Sequence, residues 1–159
     1  MKYYNPTFDE IVTACDTLAT QILQHYNNTK PDYLIGLQRG GLIPAVKLSH
    51  LLNVPLKVAD YSHPNSAGDN KHTHNLVIPE FPPHTKRIVL VDDIIDTANS
   101  VNGFLNHLQL PNNCEIILVA LYYKDSAILS QPIASYIWRW LQKDAPFVNF
   151  PWENDFKPI

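Results

Sequence analysis

Cysteine, positive charge and long apolar runs are what this chain lacks, and each absence removes a class of function. Only two cysteines occur among 159 residues, Cys15 and Cys114, and their separation matches no metal-ligand spacing. Cys15 falls on an apolar helical face and Cys114 just before a strand. Both therefore read as reduced packing residues, and the expected compartment is cytoplasmic. Lys and Arg number 12 against 15 Asp and Glu, a net charge of −3 with His neutral. A nucleic-acid binder needs a basic face, so nucleic acid is not an expected partner. No apolar stretch approaches the length of a membrane span, and Met1-Lys2-Tyr3-Tyr4-Asn5-Pro6 has no signal-peptide core. A membrane is not an expected partner either, peripheral association aside. Internal repeats and linker-like compositions are also missing, so residues 1–159 read as a single domain of a length that suits one core.

What is present alternates between two periods. Thr7-Phe8-Asp9-Glu10 has the form of a capping box. Phe8, Ile11, Val12, Cys15, Leu18, Ala19, Ile22, Leu23 and Tyr26 then recur at helical spacing, which predicts an amphipathic helix over 8–26. Tyr33–Leu37 reads as a short buried strand, Ile43–Leu52 as a helix with Pro44 in its first turn, and Val54–Ala59 as a second strand. Between about 60 and 75 the pattern dissolves into Ser, Asn, Gly, Asp and His, the composition of an exposed loop. Leu76–Ile78 could return from it as a strand. Residues 88–91 predict another strand, Asn99–Leu108 a helix, and Glu115–Tyr122 a strong strand. This rhythm implies right-handed βαβ units and an α/β, doubly wound, mainly parallel sheet. The aromatic, proline-rich tail from about 132 to 159 leaves the rhythm and reads as a small flap, or hood, over the carboxyl ends of the strands.

The richest segment is Arg87-Ile-Val-Leu-Val-Asp92-Asp93-Ile-Ile-Asp96-Thr97-Ala98-Asn99-Ser100. A buried apolar strand runs into two adjacent carboxylates, and parallel sheets bind ligands where their strands end. Asp96, Thr97, Asn99 and Ser100 then supply cap candidates and hydroxyls at a helix start, where open amides hold phosphate. Carboxylates beside an anion nest suit a ligand with both a diol and a phosphate. Val-Asp-Asp-Ile-Ile-Asp-Thr-Ala-Asn-Ser resembles the signature of the type I phosphoribosyltransferases. That resemblance implies that Asp92 and Asp93 meet the ribose hydroxyls of phosphoribosyl pyrophosphate (PRPP) and a Mg²⁺ ion. It also implies that residues 96–100 grip the 5′-phosphate. The family pattern has Gly where this chain has Ala98, and a Cβ there narrows the approach of backbone to phosphate.

Three further segments bear on the same reading. In Gly36-Leu37-Gln38-Arg39-Gly40-Gly41, glycines flank one Arg at a strand end. Taken alone this is also an ordinary strand-to-helix turn. It resembles the family's pyrophosphate loop, which implies that Gln38, Arg39 and Gly40 bind pyrophosphate and that the Gln38–Arg39 peptide is cis. Lys124 ends a buried strand. It is either a solvated charge or, as the resemblance implies, the donor to the 6-oxo group of a purine. Ala145-Pro146-Phe147-Val148-Asn149-Phe150-Pro151-Trp152-Glu153 resembles a segment of bacterial xanthine–guanine phosphoribosyltransferases. There the residue aligned with Phe147 stacks on the purine, and backbone at the position of Val148 reads its edge. Phe150 and Trp152 read as flap packing.

The resemblance thus implies a purine phosphoribosyltransferase using PRPP, a 6-oxopurine and Mg²⁺, assembled as a homodimer or homotetramer. Asp96 is its candidate base, or simply the helix N-cap, or both. The loop at 60–75 is its candidate lid, with Tyr61 and Ser62 matching the family's lid element. His63, His72, His74 and His84 match no standard metal-ligand set, and a polar loop explains them. Two other readings stay open: transfer to another base such as a pyrimidine, and a nucleotide-sensing regulator of the same fold.

Overall fold

The capping box closes as the sequence predicts. The Thr7 hydroxyl accepts from the Glu10 amide at 3.2 Å, and the Glu10 carboxylate accepts the Thr7 N–H at 2.9 Å. From that start α1 (Phe8–His25) buries Ile11, Ala14, Cys15, Leu18, Ala19 and Ile22 along one stripe. Burial pushes the Cys15 thiol up to about 11, so this cysteine is an inert packing group. The computed structural model describes residues 2–61 and 76–153.

After α1 come β2 (Tyr33–Leu37), α2 (Leu42–Leu52), β3 (Leu56–Tyr61), β4 (Leu76–Val77), β5 (Arg87–Ile95), α3 (Asn99–His107), β6 (Glu115–Lys124) and β7 (Ser135–Leu141). Six strands form one sheet in the order β4-β3-β2-β5-β6-β7, parallel except for the short β4. Strands in the middle are buried on both faces. Val89 and Val91 of β5 join the core under α1 and α2, whereas Ile88 and Leu90 join the core under α3. Each such side chain contributes roughly 1.5–3 kcal/mol by leaving water.

The chain moves outward from β2 to β3 in one direction and from β5 to β6 in the other. The crevice between β2 and β5 is therefore the topological switch point, where open α/β sheets place their ligands. Pairing between β2 and β5 stops at Gly36 and Val91, while β5 continues beside β6 as far as Ile95 and Tyr123. The notch left by β2 lies directly beside Asp92 and Asp93.

Several boundaries differ from expectation. Strand β5 does not end before the acidic pair but runs through it, because β6 keeps pairing with Asp92, Ile94 and Ile95. Strand β3 begins at Leu56, not Val54, and extends to Tyr61. The larger correction concerns the tail. Residues 135–141 are not flap: they form β7, the edge strand of the main sheet, reached from β6 without an intervening helix. Its polar and aromatic residues, fitted to a half-exposed edge, disguised it. The hood proper is a two-stranded ribbon, in which β8 (Phe147–Val148) pairs with β1 (Tyr3–Tyr4) at the other end of the chain. Phe150 is 2% exposed and packs on Tyr122 in the main core, with Trp152 stacked on it at 4.5 Å. The expected lid falls outside the described residues apart from Asp60 and Tyr61, as do Ser62, His63, His72 and His74.

Candidate active site

Two strand-to-helix loops face each other across the switch point. The first, residues 38–41, leaves β2 and enters α2. The carbonyls of Arg39, Gly40 and Gly41 accept from the amides of Leu42, Ile43 and Ala45, at 3.1, 3.3 and 3.1 Å. Gly41 caps α2 without any side-chain bond, and the Leu42 and Ile43 amides at the helix start are taken by the loop's own carbonyls, so the amides left open are those of residues 39–41. The Gln38–Arg39 peptide is cis, as the sequence resemblance implied. Glycine is required here by contact. A Cβ on Gly40 would lie 1.8 Å from Asp93 Oδ2, and one on Gly41 would lie 2.6 Å from the Val91 carbonyl oxygen and 2.9 Å from Asp92 Cα. The loop thus rests directly on the acidic pair.

Asp92 and Asp93 are half-buried at the notch. Asp92 Oδ1 accepts from the Asp93 amide at 2.9 Å, and Asp93 Oδ1 accepts from the Ile94 amide at 2.8 Å. Burial lifts the Asp92 carboxyl well above the ordinary carboxylate range, and the neighbouring Asp93 charge lifts it further. Burial also raises Asp93, which feels the Glu153 carboxylate as well. Two crowded carboxylates that resist losing both protons are a natural seat for a cation. Hard oxygen donors suit Mg²⁺, which needs only one or two carboxylates and completes its shell with water and ligand oxygens. No group of three or more His, Cys, Asp or Glu placed to hold a metal ion occurs among the described residues, so most of that shell would be supplied from outside the protein.

The second loop, residues 96–98, leaves β5 and enters α3. Asp96, Thr97, Asn99 and Ser100 are exposed, while Ala98 is 4% exposed and packs inward. The expected N-cap role of Asp96 is not what forms. Ala98 occupies the cap position in the left-handed region, φ 64° and ψ 5°, with no side-chain cap bond. Its carbonyl accepts the first helical bond, from Asn102 at 2.8 Å. This positive φ falls at the position where the resembled signature carries Gly, the residue that adopts it without steric cost. Thr97 Oγ1 accepts a long 3.4 Å bond from the Asn99 amide. Asp96 instead pairs with Lys124 Nζ at 2.7 Å, linking the ends of β5 and β6.

Lys124 also borders an open cavity of about 470 Å³, together with Lys2, Asp144, Ala145, Pro146 and Phe147. Phe147 is 50% exposed, and Tyr3 of β1 meets its ring edge-on at 5.9 Å. The amides of Phe147 and Asn149 donate to Lys2 and Tyr4 carbonyls. Backbone direction alternates along a strand, so the Val148 amide faces away from β1. Tyr61 ends β3 with its ring against Gly103 of α3, at the base of the expected lid rather than free within it.

The structure therefore brings Gln38, Arg39 and Gly40 together with Asp92 and Asp93, and joins Asp96 to Lys124 near Phe147. Sequence reasoning missed Gly41 as a contact and β1 as half of the hood, and it read Asp60 as the start of the lid rather than as a β3 residue bonded to Gln38. Asp60 is 8% exposed, and its Oδ2 accepts from Gln38 Nε2 at 2.6 Å. The only hint of β1 was a pair of tyrosines ahead of the capping box.

A phosphoribosyl transferase domain model matches residues 7–154. A purine phosphoribosyltransferase from Pyrococcus horikoshii is 32% identical, with 100% of this chain and 98% of that one covered and a TM-score of 0.75. The xanthine-guanine-hypoxanthine phosphoribosyltransferase of Helicobacter pylori is 22% identical over 96% of this chain and 95% of its own, with a TM-score of 0.74. A hypothetical protein from Neisseria gonorrhoeae with bound ppGpp is 20% identical over 96% and 90%, with a TM-score of 0.72. These last two share the fold. No curated protein matches the chain significantly. With its acidic pair seated on a glycine loop at the switch point and its domain matched almost end to end, the chain belongs to the type I phosphoribosyltransferase family.

Proposed function

We propose that this protein transfers phosphoribose from PRPP to a 6-oxopurine (guanine, xanthine or hypoxanthine) and releases pyrophosphate. The observation that carries the reading is Lys124. It borders the Phe147 cavity and is tied at 2.7 Å to Asp96 of the phosphate loop, so the base chamber and the PRPP loop share one ion pair. A charged lysine only donates hydrogen bonds, which suits a 6-oxo group and opposes a 6-amino group. The purine activity named for the Pyrococcus horikoshii relative points the same way.

In this reading Asp92 and Asp93 hold the ribose hydroxyls and would hold Mg²⁺. When bound, that ion supplies positive charge against the departing pyrophosphate. Arg39 and the amides of residues 39–41 receive the pyrophosphate, and residues 96–100 receive the 5′-phosphate at the start of α3. Phe147 stacks on the purine, and the Val148 backbone meets its edge. As the bond from the ribose anomeric carbon to pyrophosphate breaks and that to the purine nitrogen forms, Asp96 takes the proton that the base must lose. The family's oxocarbenium-like transition state depends on such preplaced charge. Assembly as a homodimer or homotetramer and a cytoplasmic location belong to the same proposal.

Pyrophosphate release, followed with PRPP, Mg²⁺ and a panel of bases, tests it. Guanine, xanthine or hypoxanthine should turn over, and adenine and uracil should not. Uracil turnover alone would favour a pyrimidine enzyme, and salt-sensitive RNA binding without turnover would favour a regulator. Asp96→Asn should lower kcat while PRPP binding persists; near-normal turnover would remove Asp96 as the base.

A further inference from the structure

We propose that Asp60 is a positioning residue for the pyrophosphate loop, acting through Gln38; the inference rests on the assignment of residues 38–41 to pyrophosphate. Asp60 and Thr85 are the buried polar or charged residues among those described, and Asp60 is the charged one. A buried carboxylate is costly unless its oxygens are used. This one accepts from Gln38 Nε2 at 2.6 Å, while the Gln38 amide donates to the Ala59 carbonyl at 2.8 Å. Two bonds from consecutive β3 residues thus fasten the first residue of the loop.

The remainder of the loop is held from the opposite side. The Arg39, Gly40 and Gly41 carbonyls all accept from α2 amides. With its carbonyls engaged by α2 and its first residue anchored on β3, the loop keeps the amides of 39–41 for a ligand. None of those three amides donates to a main-chain carbonyl of the described residues.

The anchor is itself braced. Asp60 pairs with Val77 and Tyr61 with Leu76 across β3 and β4. The Tyr61 ring fills the space over Gly103, where a Cβ would lie 2.1 Å from ring carbons, and the His107 ring lies 5.7 Å away. The end of β3 therefore touches Gln38 of the first loop through Asp60, and the body of α3, the helix that follows the second loop, through Tyr61. A carboxylate in this place accepts more strongly than a neutral group and sets which end of the Gln38 amide faces the strand. The carboxylate does not itself reach the ligand.

The test is calorimetric binding of Mg²⁺-pyrophosphate to the full chain, with steady-state kinetics and thermal unfolding alongside. Asp60→Ala should weaken pyrophosphate binding and raise the KM for PRPP about tenfold or more, the scale expected for losing a hydrogen bond to a charged group. The KM for the base should stay within about twofold. Asp60→Asn keeps an acceptor oxygen and should recover most of the affinity, which guards against a mere folding defect. Gln38→Ala should reproduce the Asp60→Ala defect, and the double variant should be no worse than either single one. Unchanged pyrophosphate affinity in Asp60→Ala, equal losses for base and PRPP, or additive single defects would overturn the inference while leaving the loop assignment intact. A native chain that binds no pyrophosphate would overturn the loop assignment, and this inference with it.

Discussion

Gly40→Ala is the sharpest available perturbation, because the structure sets its size. The added methyl would sit 1.8 Å from Asp93 Oδ2 and 2.4 Å from Asp93 Cγ. That is about 1.6 Å short of ordinary van der Waals contact. Either the loop lifts or the Asp93 carboxylate swings away, and the site loses alignment in both cases. Moving a side chain off its rotamer costs on the order of 0.5–1.5 kcal/mol, and overpacking a tight spot costs roughly 1–3 kcal/mol. The fold should therefore survive with a modestly lowered Tm. Alignment is less forgiving: an error of about 1 Å at reacting groups costs roughly a hundredfold in rate. We expect kcat/KM for PRPP to fall about a hundredfold in a pyrophosphate-release assay, with Tm a few degrees below the parent. A variant whose kcat/KM stays within about threefold would refute the claim that Gly40 seats the proposed pyrophosphate loop on Asp93.

Other expectations follow from the same geometry. The raised Asp92 carboxyl keeps its proton in the folded chain to a higher pH than in the unfolded one, whose value is near 3.8. The folded state binds more protons in that window, so stability without Mg²⁺ should fall as pH rises from about 4 through the raised value. Asp92→Asn should flatten the decline, and parallel Tm profiles for parent and variant between about pH 4 and 8 would contradict it. Phe150→Ala should cost about 3–5 kcal/mol in denaturant unfolding, because the ring is 2% exposed within the core. Phe147→Ala, three residues earlier and 50% exposed, should leave stability nearly unchanged while raising the KM for the base about tenfold. Equal stability losses in the two variants would show that the hood and the core are not separate.

The regular part of this fold is legible because its periods are clean. The capping box at Thr7–Glu10 and the apolar run into Asp92 appear where the residues put them, and the glycine loop at 38–41 was readable for the same reason. What the sequence hid depends on long-range neighbours. Strand β7 carries the pattern of an exposed edge, with Trp140 60% exposed, and no crossover helix announces it. The role of Asp60 arises only when β3 is laid beside the loop after β2. The cap expected of Asp96 lost to a tertiary partner, since Lys124 on β6 offers the carboxylate an ion pair. Local rules cannot see that choice.

The hood joins residues 3–4 to residues 147–148, so the proposed base chamber draws on segments far apart in sequence, whereas the proposed phosphate loops lie between them. The two halves of the proposed active site therefore differ in vulnerability. Clipping the first few residues, or loading them with a bulky affinity tag, strips or distorts one wall of the base chamber and spares the PRPP-binding crevice. A preparation damaged in this way would still capture PRPP and Mg²⁺ and would look native by most binding assays, yet would discriminate poorly among bases. Substrate preferences are accordingly best measured on protein in which residues 2–5 are intact and unencumbered.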